Sequence, residues 1–228
     1  MDAIQHLKNA DARLSKVIDK IGSIDYTVYN NHPDSFIFLV REIVGQMISS
    51  SVKKVIWGRL VELCNNEITP NTIGNLSVEK LRSIGLSQSK SIYILNLAKV
   101  VSNGEIDFYR LESMPDDEIL KVLTSIKGIG NWTAKMYLLF FLQREDILPY
   151  EDGAFLQAYK WLYNTNVTKP ESIARKCKKW KPYTSIGARY MYRALDSGLT
   201  KIPINVFLDL SCENRRDSGE HTKKRPNL

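Results

Sequence analysis

Asp152 is the residue whose surroundings best suit it to chemistry. It stands in L-P-Y-E-D-G, one helix-length after the glycine-kinked turn Lys127-Gly128-Ile129-Gly130. A lone carboxylate can stabilise positive charge that develops as a bond breaks, and it can orient or deprotonate a water. The same position suits an N-cap for a helix from Gly153 to Leu162, and the two roles are compatible. Glu151 beside it reads as a helix N-terminal or surface carboxylate. The turn has its own chemistry. Two glycines let the backbone reach positive φ and let another chain approach closely. The following helix offers unpaired N–H groups and a positive dipole end, which together suit a phosphate. Taken alone, the turn is equally an ordinary connection between helices with a glycine C-cap.

The elements that position these groups read as helices almost throughout. Helical apolar spacing covers residues 11–22, 36–65, 78–85, 89–103, 115–126, 132–143, 155–163, 169–180 and 185–198. Ser113 is read as the N-cap of the helix ahead of the turn, with Asp116, Asp117 and Glu118 near its positive end. The run from Trp132 to Leu142 is nearly all apolar and is expected to be buried. Short links carry Gly, Pro, Asn and Asp, and no alternating strand pattern is present, so an all-α fold is expected. The segment I-G-L-S-Q-S-K after Ser83 loosely echoes G-I-G-N-W-T-A and is read as a degenerate second hairpin. The polar tail at 213–228 is expected to be disordered.

Composition narrows the function classes. The 228 residues suffice for one domain or two small lobes with a real core. Lys and Arg number 32 against 25 Asp and Glu, a net charge of +7 that suits a nucleic-acid partner. Lys169, Arg175, Lys176, Lys178, Lys179 and Lys181 concentrate that charge, with Trp180 and Tyr183 closing the run. This segment is either a phosphate-facing edge or a solvated helix face. No run reaches membrane-spanning length and no signal-peptide pattern is present. The expected location is the cytoplasm of a bacterium or the nucleus of a eukaryote, without secretion. Cys64, Cys177 and Cys212 are too few and too dispersed for a disulfide framework or a four-cysteine iron–sulfur cluster. His6, His32 and His221 lack metal-ligand spacing.

The stretch L-x-x-I-K-G-I-G-N-W-T-A followed by L-P-x-x-D-G resembles the helix-hairpin-helix DNA glycosylase superfamily, and within it the 3-methyladenine DNA glycosylase II group. Three further blocks look like the same group and occur in its order. They are Asp34 to Leu60 around G-Q-M-I-S, Leu81 to Ala98, and W-K-P-Y-T-S-I-G-A-R-Y from Trp180. The resemblance implies a compact helical form without an extra N-terminal β domain. One lobe would come from residues 1–28 and 114–228, the other from 29–113, with a DNA-binding cleft between them.

The resemblance also implies roles. Asp152 would be the catalytic carboxylate, supporting an oxocarbenium-like transition state as the base leaves C1′. An alkylated purine is already cationic and departs without a second carboxyl group. Trp132 stands where bifunctional relatives carry a Schiff-base lysine, so an abasic site in an unbroken strand is the expected product. Trp132, Met136 and Tyr192 would line the pocket for a flipped base. Met136 departs from the aromatic that some relatives carry. Gln46, Met47 and Ser49 would meet the DNA, with Met47 filling the gap left by the extruded nucleotide; the bland alternative packs Met47 inside a long helix. Lys127, Gly128, Ile129, Gly130 and Thr133 would meet the phosphate backbone. Carbonyls of Thr124, Ile126 and Ile129 would hold a monovalent cation. No organic cofactor is implied. The expected partner is damaged double-stranded DNA, bound by a monomer. Two other readings stay open: the same mechanism on a deaminated base such as hypoxanthine or uracil, and a non-catalytic module that recognises damaged DNA.

Overall fold

A computed structural model of the chain describes residues 2–24 and 34–209. The tail expected to be disordered, together with Cys212, His32 and His221, lies outside the described residues. Those residues are helical and contain no strand. The chain divides into two compact units: Met1–Asp25 with Glu145–Leu228, and Tyr26–Arg144. Residues 114–144, expected with the termini, therefore group with the central unit, because their apolar stripe packs on that unit's helices.

The central unit holds helices α3 (Ser35–Gly45), α4 (Ser50–Leu63), α5 (Pro70–Gly74), α6 (Val78–Ser83), α7 (Gln88–Ser102), α8 (Phe108–Glu112), α9 (Asp116–Ser125) and α10 (Asn131–Met136). The numbering leaves α1 and α2 for the N-terminal pair, Ala3–Ala10 and Ala12–Ile21. Leu39, Ile43, Leu60, Ile73, Leu81, Ile94, Leu97, Ile119, Leu123 and Leu138 make a fully buried core. Most starts are set by side-chain caps: Asp34, Ser49, Thr69, Ser77, Ser87 and Asp107 each accept a backbone N–H in the first turn of the helix they precede.

Three boundaries differ from the sequence expectation. The single helix expected over 36–65 is broken at Gln46–Ser49, because Ser49 caps a new helix there. Ser113 does not cap α9. It closes α8, its hydroxyl bonded back to the Arg110 carbonyl, and Pro115 occupies the cap position without a side-chain bond. The helix expected over 132–143 is α10 followed by a π turn, Tyr137–Phe141, in which Leu142 N–H reaches the Tyr137 carbonyl at 2.9 Å. The wider turn lets Tyr137 and Phe141 stack at 5.0 Å and lets the Tyr137 hydroxyl meet Ser35 at 2.9 Å.

The other unit contains α1, α2, α11 (Gly153–Tyr163), α12 (Pro170–Cys177) and α13 (Thr184–Asp196), with residues 204–209 helical. α11 packs on α13, and α1 packs on α2. Asp11, between α1 and α2, is 2 % exposed and organises the unit. It caps α2 through Arg13 and Leu14 N–H, accepts Trp180 Nε1–H at 3.0 Å and the Tyr163 hydroxyl, and pairs with Lys179 at 3.0 Å. Burial pushes its carboxyl pKa up. The bonds from Tyr163, Trp180, Lys179 and Leu14 outweigh that, and the net value falls below the ordinary 3.8. Trp180, read from the sequence as part of a phosphate-facing edge, is wholly buried instead. Gly187 makes room for it: a Cβ there would lie 2.7 Å from the indole Cε3.

Candidate active site and nucleic-acid interface

In the central unit the break between α3 and α4 is a tight turn. Ile48 N–H reaches the Gly45 carbonyl at 3.4 Å; Gln46 has φ −52° and ψ 129°, and Met47 has φ +56°. These are the angles of a type II turn, whose third position favours glycine. Methionine there is strained by about 1 kcal/mol or more, and its apolar side chain is 101 % exposed. Met47 therefore does not pack inside a long helix. It is an apolar tip held out from the surface.

The turn is tied to the hairpin. Gln46 Nε2 donates to the Gly128 carbonyl at 3.1 Å and to Thr133 Oγ1 at 3.2 Å. Both bonds of this amide go to the hairpin. Ser49 is exposed but serves as the cap of α4. The structure thus brings Gln46, Gly128 and Thr133 together and leaves Met47 as the projecting member of the group.

The hairpin runs from the last turn of α9 to the first turn of α10. Gly128 has φ +105°, and a Cβ there would lie 2.4 Å from Tyr93 Cβ and Cγ, so glycine is required twice over. Gly130 differs. Its φ of −94° suits any residue, and a Cβ would meet nothing within 4 Å. Nothing inside the protein demands a glycine at 130. Lys127 is exposed, whereas the side chains of Ile129 and Thr133 are buried, so these two can meet a ligand only through backbone. Thr124 is exposed and Ile126 buried, and the Ile126 carbonyl accepts Ile129 N–H at 3.0 Å.

One face of α7, missed from the sequence, supports the whole arrangement. Lys90 Nζ donates to the Val44 carbonyl at 2.9 Å at the end of α3, and burial lowers its pKa. Tyr93 lies under Gly128, and Asn96 Nδ2 donates to the Lys127 carbonyl at 3.3 Å. Their i, i+3, i+6 spacing was the available signal. The segment I-G-L-S-Q-S-K that starts α7 is a genuine helical hairpin, and Gly85 shares the φ of +105° found at Gly128. On α10, Trp132 is half-buried and Met136 and Lys135 are buried.

In the other unit Asp152 caps α11, its Oδ1 accepting Phe155 N–H at 2.8 Å. The carboxylate is half-buried and Glu151 is exposed. The loop that delivers Asp152 is pinned to the start of α13. Ser185 N–H donates to the Glu145 carbonyl at 2.9 Å, and Ser185 Oγ accepts Ile147 N–H at 2.8 Å. Asp146 accepts Thr184 Oγ1–H and Lys181 Nζ, both at 2.8 Å. These anchors also escaped the sequence reading, since they lie more than thirty positions away. Tyr192 is buried in the middle of α13. Among the described residues no cluster of three or more His, Cys, Asp or Glu could hold a metal ion, and no helix is long and apolar enough to cross a membrane.

Residues 40–182 match the model of the HhH-GPD superfamily base excision DNA repair proteins. The chain belongs to this superfamily. It is 30 % identical over 197 residues to the alkylbase DNA glycosidase-like protein mag2 of Schizosaccharomyces pombe, covering 84 % of this chain and 92 % of that protein. A DNA-3-methyladenine glycosidase from Bacillus halodurans superposes with a TM-score of 0.73 at 31 % identity, over 85 % of this chain and 89 % of that one. The S. pombe 3-methyladenine DNA glycosylase Mag1, solved with abasic DNA, shares the fold with a TM-score of 0.77 at 24 % identity, over 85 % and 96 % of the two chains.

Proposed function

We propose that this superfamily member is a monofunctional DNA glycosylase that removes alkylated purines, such as 3-methyladenine and 7-methylguanine, from duplex DNA and leaves an abasic site. The observation that carries the reading is Met47. An apolar side chain held fully exposed on a positive-φ turn, and bonded through Gln46 to the phosphate-suited hairpin, has no use inside the fold. Inserted into a duplex, it replaces the stacking lost when a nucleotide turns out, a cost of a few kcal/mol, roughly.

The hairpin takes a phosphate on the first-turn N–H groups of α10, with Gly130 leaving the approach open. The half-buried Trp132 ring attracts an electron-poor, cationic purine turned out of the duplex. Asp152 stabilises the sugar cation and directs water to C1′. Its bond to Phe155 N–H fixes the carboxylate before substrate arrives. No lysine stands at position 132 to form a Schiff base, so strand cleavage is not expected. The chain acts as a monomer without an organic cofactor, and a monovalent cation on the carbonyls of Thr124, Ile126 and Ile129 would tighten the grip on the phosphate.

The test is release of methylated purines from alkylated duplex DNA by wild type and Asp152→Asn, with borohydride present in a parallel reaction. Release by wild type, loss in the variant and no trapped adduct support the reading. A trapped adduct refutes the monofunctional mechanism. Tight abasic-DNA binding without release of any methylated, hypoxanthine or uracil base refutes the enzyme and leaves a damage-binding module.

A further inference from the structure

Among the six cations of segment 169–181, all exposed, two are committed within the fold: Lys179 to Asp11 at 3.0 Å and Lys181 to Asp146 at 2.8 Å. Among the described residues, the side chains of Arg175 and Lys178 make no hydrogen bond or ion pair, and the Lys176 ammonium sits over the Tyr163 ring at 4.9 Å. Arg175, Lys176, Lys178 and Lys179 converge on one open concavity of about 930 Å³, with Thr165 and Ser172 adding neutral donors. Among the described residues no carboxylate lines it. The helix dipole favours cations in the last turn of α12 by about 0.3–1 kcal/mol. It does not account for four converging with no acid on the rim.

The place of this concavity matters. α11 follows its N-cap Asp152 and ends at Tyr163, which lines the concavity. Eleven residues at 1.5 Å each put about 16 Å of helix between the carboxylate and the basic site. The basic site therefore stands apart from the reacting group, at the far end of the helix that the carboxylate caps.

We propose that this concavity is a second binding site for nucleic-acid phosphates, separate from the glycosylase site. Flexible cations and hydroxyls match a phosphodiester chain, which repeats its charge and needs no apolar anchor. A protein partner would add buried aromatic or aliphatic anchors, which carry most of the energy of such interfaces. Of the two tyrosines that line it, Tyr159 is buried and Tyr163 carries Lys176 and Lys179 over its ring at 4.9 and 5.6 Å.

The test uses the full chain with Arg175→Gln, Lys176→Gln and Lys178→Gln combined, and an undamaged duplex as probe, titrated over a range of salt. Every phosphate that a cation no longer neutralises lowers the slope of log affinity against log salt by about 0.9. The triple variant is expected to lose two to three in slope, roughly, and at least tenfold in low-salt affinity. Single-turnover base release at saturating low-salt conditions should stay within about twofold, and the melting temperature should not move. Should the triple variant fold poorly, Arg175→Gln and Lys178→Gln singly must each lower the slope. Dissociation from labelled duplex with unlabelled competitor separates two sources of phosphate. Competitor-accelerated exchange that the variant loses marks a second DNA segment; lower affinity with no such loss marks a distant stretch of the same duplex. Equal slope and affinity in wild type and variant overturn the proposal, as does a variant that loses binding only to an acidic peptide. The duplex carries no lesion, so this result stands whether or not wild type releases a base.

Discussion

The two hairpin glycines should respond oppositely to the same substitution. Alanine at 128 forces a side chain into φ +105°, costing about 1–2 kcal/mol. It also drives a Cβ to 2.4 Å from Tyr93 Cβ and Cγ, atoms next to the α7 backbone that cannot swing aside. Overpacking of that kind costs about 1–3 kcal/mol. Together Gly128→Ala should destabilise by about 2–5 kcal/mol, and at about 2–4 °C per kcal/mol for a chain of this size the melting temperature falls by several degrees or more. Tyr93→Ala in the same chain removes the Cγ and ring contacts and leaves the Cβ contact and the φ strain, so the double variant should recover only part of the loss as a favourable coupling. At Gly130 an alanine meets no neighbour, and its φ of −94° is ordinary. The gain from a stiffer unfolded chain, about 0.4–1 kcal/mol, is offset by the poorer cap, so stability should stay within about 1 kcal/mol. Its new methyl group faces the phosphate approach, and affinity for abasic duplex should fall about tenfold, or 1.4 kcal/mol. Melting curves and duplex titrations on the three variants decide the matter. Unchanged DNA affinity in Gly130→Ala with intact folding would refute the hairpin's assigned role. An unchanged melting temperature in Gly128→Ala would refute the packing argument.

Three further outcomes are expected. Asp152→Asn keeps a good N-cap for α11 and should melt within about 1 kcal/mol of wild type, while base release followed by chromatography drops by about two orders of magnitude or more. Met47→Gly relieves the positive φ and removes an exposed side chain, so stability should hold or rise by up to about 1 kcal/mol. Single-turnover base release should nonetheless slow, and an undiminished rate would remove Met47 from the mechanism. Asp11→Asn should cost about 1–3 kcal/mol in urea unfolding at neutral pH, because the buried bonds from Tyr163 and Trp180 lose their charged acceptor. Asp11 has a folded pKa below its ordinary 3.8, so its contribution is complete above that value and fades as pH falls through the folded pKa. The gap between wild type and Asp11→Asn should therefore close below about pH 4, and a gap that widens on acidification would contradict the assigned shift.

The hairpin and the Asp152 cap were legible because glycine punctuation and N-cap chemistry are local signals. Gly128 and Asp152 sit where the sequence pattern put them. The break at Gln46–Ser49 was not, since no proline or paired glycine interrupts the apolar spacing and the Ser49-Ser50-Ser51 run was the sole clue. Trp180 could not be placed from its neighbours: six nearby cations argue for surface, yet Asp11, 169 positions away, draws the indole into the core. A separation of 38 positions likewise hid Ser185 and Thr184, whose value lies in the loop they pin. The unit boundary at Arg144 is likewise a tertiary fact, set by which helices α9 and α10 pack upon.

Asp152 holds a helix end, and that gives the site an evolutionary asymmetry. An amide in its place would cap α11 nearly as well, so under the proposed mechanism one substitution would silence the chemistry and leave the fold, the tip and the hairpin in place. Such a descendant would still find and grip distorted DNA while leaving every base attached. The lineage thus keeps an open route from repair enzyme to lesion sensor, and no intermediate along it need pass through an unfolded protein.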